Sequence, residues 1–422
     1  MDKKLPTEPY KGVRDFYPED MAIQSYIFNT WKKTVETFGF ERYDASILEP
    51  ADLYKSKGAV NAEMVNDQTY TFIDRGEREV TLRPEMTPTV ARMVAGKHRE
   101  LSFPLRWYSI PNLFRYERAQ RGRLREHWQL NCDIFGIEHY TADVEIIALA
   151  HQLLIDFGAT PDMFEIQLNN RAEMSQIFAG LGITEPEVIN EITRLNDRKK
   201  KITTEEYETA LLSIVGDTAL VNQIQEKLNC QNDTNEVLEG LKTLGINNVK
   251  IDRTIARGFD YYTGTIFEIV DTDPSNNRSM LGGGRYDNLL KMFKDESVTG
   301  IGFGMGDVTM RDFLETHNLL GAHITKTAPT LVIIPTDSDR NLDSQKIAHL
   351  FRQREVKVSV DLSNKKIGKK ISDAVNRGAT FALIVGPDEL NSGNFTLKNL
   401  AFETEESGTI DTLLTYLISH TT

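Results

Sequence analysis

Apolar residues return at helical spacing early in the chain. Ile23, Tyr26, Ile27, Trp31, Val35 and Phe38 share one face of a helix over 19–38, and Gly39 stands where its C-terminal cap belongs. From about 69 to 138 the pattern changes to strands and turns, with strands over 79–83, 105–117 and 127–136. Strands that follow one another without helices predict an antiparallel sheet. A helix over 141–157 follows, closed by Gly158. The polar stretch 172–247 predicts four helices, over 185–194, 203–214, 219–228 and 235–244, and is read as an insertion. Strand character resumes at Val249 and over 265–270, before two glycine-rich stretches, 282–284 and 300–306.

The last hundred residues follow a different rhythm. Short apolar strands over 331–335, 356–361 and 381–385 alternate with helices over 343–353 and 366–377. Strand–helix alternation predicts a parallel or mixed sheet, hence a separate smaller α/β unit after a linker at 321–328. The chain is therefore read as α+β: a body in two parts, 1–171 and 248–322, an insertion at 172–247, and a terminal unit at 328–422. No internal repeat or low-complexity tract interrupts it.

Composition narrows the class. Hydrophobic residues at 40% and charged residues at 26% suit a folded soluble protein. The chain has no apolar run of about eighteen residues to span a membrane, and its polar start lacks the apolar core of a secretory signal. Cys132 and Cys230 form no paired motif, which suits a reducing cytoplasm and excludes a cysteine-built zinc site. The eight histidines are scattered, so no metal held by protein side chains is expected. The net charge of −13 belongs to the chain before residue 326, since the tail holds equal numbers of acidic and basic residues. An acidic body with local basic patches suits a polyanion that is bound and released.

The densest basic patch is Arg115, Arg118, Arg121, Arg123 and Arg125, between two strand-like segments. It predicts a hairpin with a long mobile loop. Guanidinium groups clamp phosphate oxygens in pairs, so such a loop suits a polyanion, although a solvated basic loop is the plainer reading. Three further segments are each weak alone. Arg83-Pro84-Glu85 is a turn in most proteins, a Tyr261-Tyr262 pair usually packs a core, and Gly282-Gly283-Gly284-Arg285 allows close backbone packing.

In this order the segments resemble the class II aminoacyl-tRNA synthetases, and among them the histidyl-tRNA synthetase family. Phe114-Arg115-Tyr116-Glu117 resembles the class's second motif, and 257–264 the peptide that marks the family. Residues 11–16 are similar to its N-terminal segment, and 19–49 to the first motif, which forms a dimer interface in this class. Residues 328–422 resemble the anticodon-binding domain of the histidyl, prolyl, threonyl and glycyl enzymes. The resemblance implies an antiparallel catalytic domain, a homodimer, and ligation of L-histidine to tRNA(His) with ATP and Mg²⁺.

It also implies roles. Arg115 and Arg257 would hold the α-phosphate and the histidine carboxylate, Glu117 would lie near adenine, and Arg123 would reach the outer phosphates. Glu85 and Tyr262 would face the imidazole, with Thr87, Gln129 and Tyr261 beside them, and Asp133 would pair with the α-ammonium group. In the terminal unit Lys365, Lys366, Lys369 and Lys370 would face tRNA phosphates, although singly they read as a solvated helix face. Such a polar pocket rejects wrong side chains by leaving buried groups unpaired, so no editing domain is needed.

The sequence departs from the family pattern in four places. Ser46 stands where the first motif has proline, and Thr309 where the third motif ends in a phosphate-binding arginine, with Arg311 two residues out of register. Asp133 stands where many relatives have glutamate, and His127-Trp128 precedes Gln129 without an assigned role. A synthetase-like regulatory subunit of histidine biosynthesis would lack the 257–264 peptide and the terminal unit, both present here. A prolyl or threonyl enzyme would differ at 257–262, and a pure RNA-binding module would not need Glu85, Asp133 and Arg257 together.

Overall fold

The computed structural model describes residues 4–56, 67–199, 202–229, 235–255, 261–276, 278–294, 297–321 and 328–421. The chain divides into two compact units, Met1–Ile324 and Thr325–Thr422. In chain order the strands of the first are β1 (Glu41–Arg42), β2 (Leu48–Pro50), β3 (Tyr70–Ile73), β4 (Glu79–Leu82), β5 (Leu105–Ser109), β6 (Asn112–Phe114), β7 (Glu126–Phe135), β8 (Phe164–Asn170), β9 (Val249–Ile251), β10 (Thr265–Asp271), β11 (Ser279–Arg285) and β12 (Gly300–Gly306). The main sheet runs β1-β5-β7-β12-β11-β10-β8-β9 with β6 on β7, and β2-β4-β3 form a small side sheet.

The main sheet is antiparallel through its interior, as the strand pattern predicts, but both edge pairs, β1–β5 and β8–β9, are parallel. Parallel neighbours need a long crossover. One lies in the region read as strands and turns: the helix Thr87–Lys97 buries Val90, Ala91, Val94 and Ala95, a helical stripe obscured by Pro88 and Gly96. Strand β8 is likewise absent from the sequence pattern. The stretch expected as one strand over 105–117 is two, because Pro111 between β5 and β6 has no N–H to give the ladder.

One face of the sheet carries the core. Leu130, Cys132 and Ile134 of β7 and Ile301, Phe303 and Met305 of β12 pack against the helices Pro18–Thr37 and Thr141–Asp156. The first helix starts with Pro18, whose fixed φ suits the first turn, and with Glu19 and Asp20, which complement its dipole. Ile27, Trp31 and Val35 form its buried stripe, Trp31 Nε1 donates to Met305 Sδ at 3.0 Å, and Gly39 at φ +77° turns the chain away.

The 172–247 stretch folds as helices. Arg171–Gly180, Pro186–Arg198, Thr204–Val215 and Thr218–Asn229 share a core of their own around Phe178, Ile192, Tyr207, Leu211 and Ile224. The next helix, Glu236–Thr243, instead joins the body's core through Val237 and Leu241. Gly240 admits this approach, since a Cβ there would lie 2.6 Å from Val144.

The terminal unit is a five-stranded sheet, with β13 (Leu331–Pro335), β14 (Val358–Val360), β15 (Phe381–Val385), β16 (Phe395–Asn399) and β17 (Thr404–Gly408) in the order β14-β13-β15-β16-β17. The first three are parallel and the last two antiparallel, a mixed sheet as the alternation predicts. Helices Asn341–Arg352 and Ile410–Thr421 bring Ile347, Phe351, Leu413 and Leu417 to one core. Helix Ile367–Asn376 brings Ala374 to a second one on Val332 and Ile334.

That helix corrects one expectation. Lys370 is buried, and its Nζ donates to the carbonyls of Pro335 at 3.0 Å and Asp361 at 3.2 Å, so it faces inward and not toward phosphates. Lys365 and Lys369 stay on the surface, paired with Asp373 at 2.7 and 3.1 Å, and Lys366 is exposed. Lys370→Ala leaves two carbonyls without their donor and is expected to destabilise the terminal unit by roughly 1–3 kcal/mol. Lys366→Ala should stay within about 0.5 kcal/mol. Urea denaturation followed on this unit's signal separates the two.

Candidate active site

The face of the main sheet opposite the core is bare where its two central strands meet. Side chains alternate along a strand, and the register puts Gly302 beside Gly284 and Gly304 beside Gly282 on this face. Continuing outward, Gly302 neighbours Asp133 and Gly304 neighbours Asn131 on β7, while Gly284 neighbours Ile266 on β10. The glycines form a floor with no side chains of its own, walled by polar residues of β7.

The walls lean over this floor. A Cβ at Gly302 would lie 2.2 Å from Asp133 Oδ1, one at Gly304 2.7 Å from Gln129 Cδ, and one at Gly284 2.8 Å from the Tyr262 ring. Gly300 makes the same allowance for Tyr286, at 2.6 Å. Each glycine vacates the volume that a neighbouring functional side chain occupies. The glycine stretches have a reason beyond close backbone packing.

Asp133 sits at the deep end. Tyr286 donates its hydroxyl to Oδ1, Tyr261 packs edge-on against Tyr286 at 5.8 Å, and the Tyr43 phenol lies close enough that, after its own burial, the Asp133 charge adds to holding it well above its ordinary range. Burial pushes the Asp133 carboxyl up to about 7, with the Tyr286 hydrogen bond opposing the shift. The same burial, with the carboxylate alongside, holds the Tyr286 phenol well above its ordinary range.

Glu85 sits with the arginines. Arg83 is buried and pins its segment by donating to Ala45 O at 2.7 Å and Asn112 O at 3.1 Å. Arg115 Nε donates to Pro84 O at 2.8 Å, which sets its guanidinium beside the residue preceding Glu85. Thr87 opens the next helix. Beyond Arg115 the chain forms the expected hairpin. Arg115 N donates to Arg125 O at 2.8 Å, and an isolated bridge joins Gln120 to Arg123. Glu117 is buried and paired with Arg123. Arg121 reaches Asn276 Oδ1 at 3.0 Å, so the hairpin tip is tied down to the body. The N-terminal segment crosses its stem: Arg125 N donates to Gly12 O at 2.8 Å, and the Arg125 guanidinium stacks on Tyr116 at 4.0 Å.

His127 also belongs here, which sequence reasoning missed. It shares the strand face of Gln129, Asn131 and Asp133, and the alternation along β7 was the available signal. Desolvation, then the positive charge of Arg115, Arg14 and Arg123, pushes its imidazole down to about 3, so it is neutral. Trp128 turns to the other side, edge-on to Phe16 at 5.3 Å, and its amide donates to Asp307, the carboxylate that also holds Arg14 at 2.7 Å.

The structure thus brings Gln129, Asp133, Tyr261 and Tyr262 together over the glycine floor, sets Arg115 and Arg123 near His127 with Glu117 on Arg123, and leaves Glu85 and Thr87 on the segment that Arg115 holds through Pro84 O. Arg257 lies outside the described residues. Arg285, within the glycine motif, faces away: it pairs with the buried Asp143 and donates to Ile137 O at 2.9 Å, an anchor for β11. Among the described residues no group of three or more His, Cys, Asp or Glu side chains is placed to hold a metal ion.

Comparison with known proteins now decides the family. The histidyl-tRNA synthetase family profile matches residues 12–307, and an anticodon binding domain profile matches 330–420. A histidine–tRNA ligase of Leptospira biflexa is 43% identical over 419 residues, covering 95% of this chain and 94% of that one. The chain belongs to the histidyl-tRNA synthetase family. Its relatives extend to a histidine–tRNA ligase of Thermoplasma volcanium, 34% identical over 429 residues and covering 97% and 98% of the two chains. Among solved structures, the histidyl-tRNA synthetase of Nostoc sp. PCC 7120 matches with a TM-score of 0.79 at 21% identity, covering 99% of this chain and all of that one. A Bacillus halodurans structure described as an ATP phosphoribosyltransferase regulatory subunit/histidyl-tRNA synthetase shares the fold less closely, with a TM-score of 0.66 at 20% identity over 91% of this chain and 99% of that one.

The raised Asp133 carboxyl makes a measurable prediction without ligand. Its folded value of about 7 lies above the ordinary 3.8, so the folded state keeps a proton that the unfolded chain releases. The stability this brings is present below pH 4 and lost as pH rises to 7. Asp133→Asn keeps an acceptor for Tyr286 and never ionises. Its stability relative to wild type should grow between pH 5 and pH 8 by on the order of a few kcal/mol, read from denaturation midpoints. A difference that does not change with pH would mean that this carboxylate is better solvated than the fold implies.

Proposed function

We propose that the chain activates L-histidine with ATP to histidyl-adenylate and then transfers histidine to the 3′ end of tRNA(His). The observation that carries this reading is the glycine floor, with an acidic residue in a tyrosine cage at one end and arginines at the other. A flat substrate needs room against the sheet, an imidazole needs one donor and one acceptor met, and a phosphate needs guanidinium groups.

Within that reading the two carboxylates exchange the roles that the family resemblance suggested for them. The α-ammonium of histidine is one carbon away from the carboxylate being activated, so it must lie near Arg115. Glu85 follows Pro84, whose carbonyl holds Arg115, and with Thr87 and Gln129 it takes the ammonium group. Asp133, deeper and among Tyr261, Tyr262 and Tyr286, accepts from the imidazole N–H. The histidine carboxylate oxygen attacks the α-phosphorus and pyrophosphate leaves with its electron pair. Arg115 and Arg257 stabilise the charge that builds on the α-phosphoryl oxygens, and no side-chain nucleophile is required. Glu117 and Arg123 border the nucleotide. A terminal ribose hydroxyl of tRNA then attacks the carbonyl carbon and AMP leaves. Mg²⁺, a hard cation suited to phosphate oxygens, would screen the triphosphate charge alongside these arginines.

Residues 328–422 bind the anticodon arm, with Lys365, Lys366 and Lys369 toward its phosphates, while 172–247 forms an insertion in the catalytic domain of 1–171 and 248–322. The chain works as a homodimer. The side sheet supports this, since Leu48, Phe72 and Ile73 stand 40%, 48% and 63% exposed there, an apolar surface that a second copy would cover. No helix among the described residues is long and apolar enough to cross a membrane, and a tRNA ligase acts in the cytoplasm.

Histidine-dependent exchange of labelled pyrophosphate into ATP tests the reading. Histidine should support exchange while proline and threonine do not, and Arg115→Ala or Arg257→Ala should lower kcat/KM about 10²-fold or more. Folded protein that exchanges with no amino acid would favour a regulatory role instead. The split of the carboxylates has its own test. Imidazolepropionate lacks the ammonium group, so as an inhibitor it should be unaffected by Glu85→Ala and weakened at least tenfold by Asp133→Ala, about the cost of one buried charge-assisted hydrogen bond.

A further inference from the structure

The third motif of this class ends in a phosphate-binding arginine, and this chain has Thr309 there. Thr309 is no substitute as a donor: its hydroxyl is taken up by backbone carbonyls, Met280 O of β11 at 3.1 Å and Gly306 O of β12 at 3.3 Å. Arg311 is committed elsewhere, to Asp20 at 3.0 Å and Glu315 at 2.8 Å, where it ties helix Asp307–Thr316 to helix Pro18–Thr37. In the hairpin, Arg121 is held by Asn276 and Arg123 by Glu117.

Arg278 differs from these. It precedes β11, is half-buried, and makes no hydrogen bond or ion pair among the described residues. Its side chain runs along the hairpin tip: a Cβ at Gly122 would lie 2.9 Å from Arg278 Cδ and 3.5 Å from Thr309 Cγ2. Arg278 and Thr309 therefore lie side by side under the same glycine, and with Arg121 they line one small cleft. The two positions complement each other in volume, since a short threonine at 309 leaves the space that a long side chain from 278 enters. Arg121 and Arg278 bring two positive charges to this cleft against the single carboxylate of Asp312, so a further anion is favoured there.

We propose that Arg278 supplies the guanidinium that the third motif lacks, binding the outer phosphates of ATP from the opposite side of the hairpin tip. The proposal rests on the reading of this site as the ATP site. It makes the pair Arg278 and Thr309 a relocated version of one function: the positive charge comes from the strand side, and the helix contributes only a small residue to make room.

The test uses the full-length protein, with ATP and AMP titrated directly and KM values taken from pyrophosphate exchange. Arg278→Ala should weaken ATP about tenfold or more while AMP affinity and the KM for histidine stay within about twofold, as expected for loss of a charge-assisted contact to phosphates that AMP lacks. Arg278→Lys should recover part of the loss. Adding Thr309→Arg to Arg278→Ala should recover most of it, because the new arginine enters from the other element. If Arg278→Ala leaves ATP within twofold, or weakens AMP and histidine as much as ATP, the proposal is overturned and the residue is structural. Failure of wild type to exchange with histidine would instead overturn the assigned reaction, and the ATP-against-AMP titration would still decide the role of Arg278.

Discussion

Asp133 reaches over the sheet only because Gly302 has no side chain, and the rest of the site depends on arrangements of that kind. Tyr262 over Gly284, Gln129 over Gly304 and Tyr286 over Gly300 repeat it. In an ordinary antiparallel sheet each of these positions would raise a side chain perpendicular to the strands. Here the central strands are bare on one face, and their neighbours lie down across them. The opposite face of the same strands shows the usual apolar alternation, with Ile301, Phe303 and Met305 in the core. One set of strands thus anchors the fold on one side and clears a flat substrate bed on the other.

Charge is sorted along that bed. At one end burial disfavours ionisation, and Asp133 titrates near 7 among phenols. At the other, burial first and then the nearby charges of Arg115, Arg14 and Arg123 keep His127 neutral. The separation has a physical advantage. A guanidinium close to Asp133 would lower its pKa and compete for it as a partner, whereas at a distance each end recognises a different part of one substrate. The chain's net charge of −13 conceals this, because the relevant charges are few and local.

Much of this was legible in the chain. The long amphipathic helix, the arginine hairpin and the strand–helix rhythm of the terminal unit follow from spacing alone. Helix Thr87–Lys97 was not legible, because Pro88 and Gly96 read as turn residues when the first in fact starts the helix. The parallel β1–β5 edge depends on that crossover and was missed with it, and the β8–β9 edge was missed with strand β8. Lys370 illustrates a further limit: four lysines in a row of six residues look alike, and only the tertiary positions of two carbonyls show that one points inward. His127 and Arg278 carry the same lesson. The strand face of the first was available from alternation along β7, but its arginine neighbours, like the neighbour of the second, become visible only when β7, β11 and the hairpin come together.

Where histidine lies on the glycine floor is the decisive point. A crystal structure with a non-hydrolysable sulfamoyl analogue of histidyl-adenylate would settle it. The account predicts the analogue lying against Gly302 and Gly304, with its imidazole on Asp133, its ammonium group on Glu85 and its sulfamoyl oxygens on Arg115. An analogue bound away from this glycine floor, or with its imidazole on Glu85 and its ammonium group on Asp133, would contradict it.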